Sequence, residues 1–203
     1  MFDETIRAML IEGTWATLYM TLVSTLFGYI LGLPMGIVLA VTDKEGIRSI
    51  PFLILLILVM PITKLIVGQS YCSTATIVPL TIAAAPFIGR MVESSLKEVD
   101  KGVIEAAQSM GAGTFTVIWR VLLVEARTSL LVGVTISVGT ILGYSAMAGV
   151  VGGGGLGDIA IRYGYYRYET EIMIVTIVIL VILVQILQGI GMMLSKKLDR
   201  RRA

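Results

Sequence analysis

Two stretches of this chain carry residue types at spacings that chemistry could use. Gly152, Gly154 and Gly157 stand in the G-x-G-x-x-G spacing that lets backbone amides close on a pyrophosphate. Glu105 to Val124, EAAQSMGAGTFTVIWRVLLV, places a polar helical segment, a glycine break and a more apolar segment between long hydrophobic runs. The first would be phosphate chemistry and the second the chemistry of a contact surface. Other reagents are scarce. The chain has no histidine and one cysteine, Cys72. A histidine-based metal site, a Cys–His nucleophile and an internal disulfide are therefore excluded. Cys72 reads as a small core or interface residue. No G-x-x-x-x-G-K-[ST] occurs, so the chain is not its own P-loop ATPase.

The elements around the second stretch follow from capping and periodicity. Asp100 has the chemistry of an N-cap, and Val103, Ala106, Ala107 and Met110 fall on one face of the helix it would start. Gly111 and Gly113 should end that helix, because glycine tolerates the left-handed backbone of a C-cap. Thr114 can cap the next helix, which should run through Trp119 towards Glu125. A helical hairpin that merely joins two spans has this pattern too. A nucleic-acid-reading helix-turn-helix does not, since its recognition helix would expose Phe115, Val117, Ile118, Val121, Leu122 and Leu123.

The elements that position both stretches are hydrophobic spans. With 56% hydrophobic residues and a mean hydropathy of +0.90, the chain lies well outside the range of soluble domains. It reads as an all-α polytopic membrane protein, one transmembrane domain over residues 1–203. The acidic start, Met1 to Glu12, lacks the basic region and cleavage site of a signal peptide. Gly13 to Val41 contains no charge and is longer than the ~20 residues a crossing needs. Within it Gly28, Gly32 and Gly36 form a smooth stripe for a neighbouring helix, and Pro34 should bend its end.

Asp43, Lys44, Glu45 and Arg48 make a brief polar link to a second span from Ile50 to Gly68, with Lys64 to Ser73 as its exit loop. A third span runs from Thr74 through Pro79 and Pro86 to Arg90, Glu93 and Lys97. A fourth runs from Ser129 to Val150, and a fifth from Ile172 to Leu194 ahead of Lys196, Lys197, Arg200, Arg201 and Arg202. In this setting the G-x-G-x-x-G spacing follows a span rather than a strand, so its glycines serve packing rather than a nucleotide. No acid, base or arginine is buried mid-span, which argues against proton coupling.

Glu105-Ala106-Ala107, three residues, Gly111, then nine residues to Val121 and Leu123 resembles the EAA loop of ATP-binding-cassette importer permeases. VPLTIAAAPFIGRMVE (Val78 to Glu93) and GYSAMAGVVGGGGLGDIAIRYGYYRY (Gly143 to Tyr168) resemble the permease subunits of methionine importers. The likeness covers most of the chain from Gly13. It implies a five-span permease pairing as a homodimer, with two cytoplasmic ATPase subunits and an extracellular or periplasmic substrate-binding protein. ATP would be held by the ATPase subunits, and this chain would carry no cofactor and no catalytic site.

Glu105, Ala106, Ala107 and Gly111, within a coupling loop over 97–125, would then contact the ATPase. The alanines would allow close backbone approach and the glutamate a charge-assisted contact. Two departures stand out. Val124 replaces the usual proline, so the helix should run on unkinked, and the link after Thr42 is shorter than methionine-type permeases carry.

Orientation follows from the basic residues. Five spans put the termini on opposite sides of the cell membrane. With the carboxyl terminus in the cytoplasm, Lys44, Arg48, Arg90, Lys97, Lys101, Arg120, Arg127 and the basic tail collect there, and Arg7, Lys64, Arg162 and Arg167 lie outside with the amino terminus. Tyr144, Ser145 and Met147, in the fourth span, are the candidate translocation-path residues, though helix packing would use them equally well. Three other readings share the pattern: a permease for another small amino acid or peptide, a non-transporting membrane anchor, and an intramembrane enzyme. The lack of histidine and of buried acids disfavours the last.

Overall fold

The computed structural model describes residues 4–42, 51–69 and 71–198. All regular elements among them are helical. The chain runs α1 (Glu4–Thr42), α2 (Phe52–Val67), α3 (Ser73–Lys97), α4 (Lys101–Ser109) and α5 (Thr114–Thr116). A π-helical turn (Val117–Leu122) leads into α6 (Leu123–Glu125) and α7 (Arg127–Ala148). A 3-10 turn (Gly149–Val151), α8 (Gly155–Ile159), a second π-helical turn (Ala160–Tyr165) and α9 (Thr170–Leu198) complete it.

Helices α1, α3 and α9, and the run opened by α7, are long and apolar enough to cross a membrane. Helix α2 has 16 residues, a rise of about 24 Å against a hydrocarbon core of about 30 Å, and is the short member of the five.

The bundle is organised on the pairing of α1 with α3, its most extensive helix contact. Gly28, Gly32 and Gly36 are buried along this seam, facing Ala84, the Ala85 carbonyl, Ile88, the Gly89 carbonyl and Val92. Removing three side chains at a four-residue spacing lets the backbones approach, and dispersion contacts replace the hydrophobic drive that lipid does not supply. On α1, the hydroxyls of Thr14, Thr17, Thr21 and Thr25 each donate to the carbonyl four residues earlier. Polar atoms are thereby satisfied inside the helix itself, as an apolar environment demands. The residues recorded as buried and polar are all threonine or serine. Among the described residues Thr81 Oγ1 is the buried side-chain oxygen left without a partner.

Several sequence expectations shift. Lys64 to Val67, expected to open a loop, form the last turn of α2, because the apolar run Leu65-Ile66-Val67 continues the helix until Gly68 closes it. Gly68 adopts φ 82° and its N–H donates to the Lys64 carbonyl at 2.9 Å. Helix α1 continues through Pro34 to Thr42. The fourth span starts at Arg127 and its α-helix stops at Ala148, the 3-10 turn carrying it on to Val151. Asp43, Lys44, Glu45, Arg48 and Ile50 of the short link, Ser70, and Arg200 to Arg202 of the tail lie outside the described residues.

The G-x-G-x-x-G segment is a packing device. Gly152, Gly154 and Gly155 have φ of 74°, 78° and 74°, and Gly157 backs onto the main chain of Ala146 and Gly149 with no room for a Cβ. The folded-back loop is pinned from two helices. The Leu156 N–H donates to Thr17 Oγ1 at 2.9 Å, and Thr76 Oγ1 donates to the Gly153 carbonyl at 3.2 Å. A 3-10 turn precedes it rather than a strand, so the segment lacks the strand–loop–helix context of a phosphate site.

Candidate functional site

Helix α4 begins as its sequence dictates. Asp100 caps it, its carboxylate accepting from the Gly102 N–H at 2.6 Å, which satisfies one of the free amides of the first turn. The helix ends at Ser109, and Gly111 takes φ 85°, with the Gly111 N–H on the Gln108 carbonyl at 2.9 Å and the Ala112 N–H on the Ala107 carbonyl at 3.1 Å. Gly113, not Thr114, occupies the next N-cap. Its carbonyl accepts from the Val117 N–H at 3.0 Å, and Thr114 is the first helical residue. Gly113 needs no special backbone, with φ −69°. The second arm continues through Val124 to Glu125, and Ala126 separates it from α7.

The two faces of α4 differ in what they meet. Lys101, Ile104 and Gln108 turn towards the chain, where they line a cavity beneath the helix. Of the four residues that helical spacing places on one face, Val103, Ala106 and Met110 are exposed, Met110 by 82%, while Ala107 turns inward. Ala107 is the one residue of α4 buried against the core. With Ile104 half-buried beside Ala107, the helix presents Val103, Ala106 and Met110 outward, an apolar surface that no described part of the chain covers. Glu105 and Ala106 are exposed beside Ala107, with Gly111 at the turn, so all four candidate coupling residues share the hairpin tip. Phe115 and Trp119, exposed and 6.0 Å apart between ring centroids, extend the apolar surface onto the second arm. Sequence pattern did not single out this aromatic pair, although its four-residue spacing marks a common helical face.

The second arm is the anchored one. Val117 and Leu122 are buried in the same core as Val99 and Ala126. At the base, Ser129 Oγ donates to Glu98 Oε2 at 2.7 Å and lies 3.2 Å from Ser95 Oγ, tying the start of α7 to the end of α3. Lys97 pairs with Glu93 at 3.0 Å one turn earlier.

The candidate path residues separate. Met147 is 49% exposed and shares a face of α7 with Ile136 and Gly143, both exposed, as is Val150 in the 3-10 turn that follows. Tyr144 is half-buried and stacks on Phe52, with centroids 4.6 Å apart and planes 5° from parallel. Ser145 is buried at 1% exposure, its hydroxyl donating to the Leu142 carbonyl at 2.7 Å. Within the chain it is a packing residue. Phe52, which fixes Tyr144, carries no signal in sequence beyond being apolar. Cys72 caps α3, its sulfur accepting from the Ala75 N–H at 3.3 Å. Among the described residues no cluster of three or more His, Cys, Asp or Glu could hold a metal ion.

Residues 45–201 match the family described as binding-protein-dependent transport system inner membrane component. The chain is 50% identical to a probable D-methionine transport system permease protein MetI of Vibrio cholerae, covering 95% of this chain and 93% of that protein. The 210 aligned positions exceed the residues this chain contributes to them, so the Vibrio protein has internal residues without counterparts here. Identity to the methionine import system permease protein MetP of Bacillus subtilis is 44%, over 76% of this chain and 69% of that one. Among solved structures, an inward-facing MetNI methionine ABC transporter superposes with a TM-score of 0.94 at 44% identity, covering 98% of this chain and the whole of that one. By descent and by fold, this chain belongs to the binding-protein-dependent transport system inner membrane component family.

Proposed function

We propose that this chain is the permease subunit of an ATP-binding-cassette importer that moves methionine into the cell, driven by a separate ATPase. One observation carries the reading: an apolar helix face, Val103, Ala106 and Met110, stands outward beside Glu105 at one end of a bundle of membrane-length helices. The related proteins are transport permeases for methionine, and the bundle superposes on that of a methionine ABC transporter. The chain itself needs no catalytic group, because ATP is bound and hydrolysed by the partner.

On this reading two copies pair around a shared path, and each α4 sits in a cleft of one ATPase subunit. Closing of the ATPase pair on ATP displaces α4, and the displacement reaches the spans through the anchored second arm. The substrate arrives from a binding protein on the opposite side, where the amino terminus lies. Met147, on the exposed face of α7, is the gate residue, a soft side chain that can fill a gap of changing width. Tyr144 lies beside it, held by Phe52.

The test is uptake of radiolabelled methionine, with ATPase activity, in vesicles holding the whole assembled transporter. Glu105→Lys reverses the charge offered to the ATPase and should abolish uptake while leaving the chain inserted at parental level. Unchanged uptake at equal expression would refute the assignment of α4.

A further inference from the structure

Beneath α4 lies a cavity of about 470 Å³. Its walls are Ala40 and Val41 from the end of α1, Leu96 and Val99 from the end of α3, Ile104 from α4, and Val117, Ile118 and Leu122 from the second arm. Lys97, Lys101, Gln108 and Thr114 supply its polar atoms, and no acid lines it among the described residues. The neighbouring pocket at the base of α7 has the opposite character, with Glu98 and Glu125 in its lining. Lys97 is shared with Glu93 at 3.0 Å, and both Lys97 and Lys101 are exposed.

The cavity is walled on one side by the last turns of α1, at Ala40 and Val41. Val38 and Val41, one turn apart there, are 58% and 46% exposed and continue its apolar wall onto the outer surface of α1. An occupant apolar along its length, anionic at one end and drawn from the bilayer that α1 is long enough to cross suits both the lining and this exposed apolar strip. We propose that this cavity takes an acyl chain of an anionic phospholipid, its phosphate held between Lys101 and Lys97. A volume of about 470 Å³ holds roughly fifteen groups the size of a water molecule, which suits one chain rather than a whole lipid.

The lipid would fill the space under the inward face of α4, leaving Val103, Ala106 and Met110 free on the other side. It would support the helix from behind without competing for the docking surface.

The experiment places the full chain in vesicles of phosphatidylcholine and phosphatidylglycerol in equal parts, each lipid in turn carrying a photoactivatable acyl chain. Crosslinks are mapped by mass spectrometry. A basic residue near the surface favours an anionic lipid about fivefold, so two lysines, one shared with a carboxylate, should favour phosphatidylglycerol about tenfold. Those crosslinks should concentrate on residues 40–41, 96–104 and 117–122. Lys97→Gln with Lys101→Gln should remove the preference, and Ala40→Phe, which fills the cavity from the helix surface, should remove the crosslinks. Lys64→Gln, at the far end of α2, should change neither. Equal crosslinking by the two lipids, crosslinks spread over the exposed faces of α1 and α9 alone, or a preference that survives loss of both lysines would each overturn the assignment.

Discussion

A single methyl group placed at Gly36 should separate the two central helices. A Cβ built there lies 2.5 Å from the Gly89 carbonyl oxygen, 2.6 Å from Val92 Cβ and 2.8 Å from Val92 Cγ1. Two of those atoms are backbone or fixed to it, so no rotamer change relieves the contact. Reaching ordinary van der Waals separation at about 3.4 Å requires about 0.9 Å of helix displacement. Overpacking of this kind costs about 1–3 kcal/mol, and the immobile neighbours put Gly36→Ala near the top of that range. Alanine returns up to about 1 kcal/mol through helix propensity, leaving a net loss of about 2 kcal/mol, or roughly thirtyfold in the unfolding equilibrium.

The same reasoning grades the stripe. Gly32→Ala meets the Ala85 carbonyl and the branched carbon of Ile88 at 2.8 to 2.9 Å, whereas Gly28→Ala first meets Ile88 Cδ1, a side-chain tip that can swing aside. Gly189→Ala has nothing within 4 Å and serves as the control. Reversible unfolding of the full chain in mixed micelles, followed by tryptophan fluorescence, should rank the losses Gly36, Gly32, Gly28, with Gly189→Ala unchanged or more stable. If Gly36→Ala matches Gly189→Ala, the close approach of α1 and α3 is wrong.

Other perturbations probe function and orientation. Met147→Ala should loosen closure and raise basal ATPase activity or leak without loss of assembly, while Met147→Trp should block uptake; parental rates in both would return Met147 to ordinary packing. In a Cys72→Ser background, which keeps a cap for α3, cysteine at Glu12 should react with an impermeant thiol reagent on intact cells and cysteine at Lys196 should not. The reverse pattern would invert the orientation. Asp100→Ala removes the cap of α4 and should cost about 1 kcal/mol, seen as faster amide exchange over residues 101–105. Unchanged exchange would mean that the cap does not hold the helix.

The sequence disclosed the fold because membrane spans are written in long, nearly charge-free runs, and no other element can satisfy its backbone in lipid. The hairpin was legible from Asp100 and Gly111, whose capping roles follow from local chemistry. Helical spacing groups Val103, Ala106, Ala107 and Met110 on one face, but the structure buries Ala107 and exposes the other three, since periodicity identifies a stripe without saying what covers each part of it. Thr114 was misplaced by one position because threonine and the preceding glycine are both acceptable caps, and the turn geometry decides between them. Lys64 misled as a loop signal; a single exposed lysine does not stop a helix that Gly68 closes one turn later. Ser145 and Tyr144 were indistinguishable as candidates until Phe52, far away in sequence, was brought against one of them.

The distribution of anchoring contacts bears on how force would travel. Helix α4 holds to the core through buried Ala107 and half-buried Ile104, and its two ends are tethered at Asp100 and Gly111. The second arm is held at Val117 and Leu122, and its base is tied by Ser129 to Glu98 and Ser95. On the proposed reading, a push on α4 would pass through these few contacts and along the second arm to α7. Helix α7 in turn carries the exposed face with Met147, and its far end is locked through Gly149 and Gly157 to the folded-back glycine loop. That loop is held by Thr17 of α1 and Thr76 of α3. The buried polar groups along this route are hydroxyls satisfied chiefly by their own helices. Such helices can shift against one another without stranding a charge in a low-dielectric interior, a move that a buried ion pair would make costly.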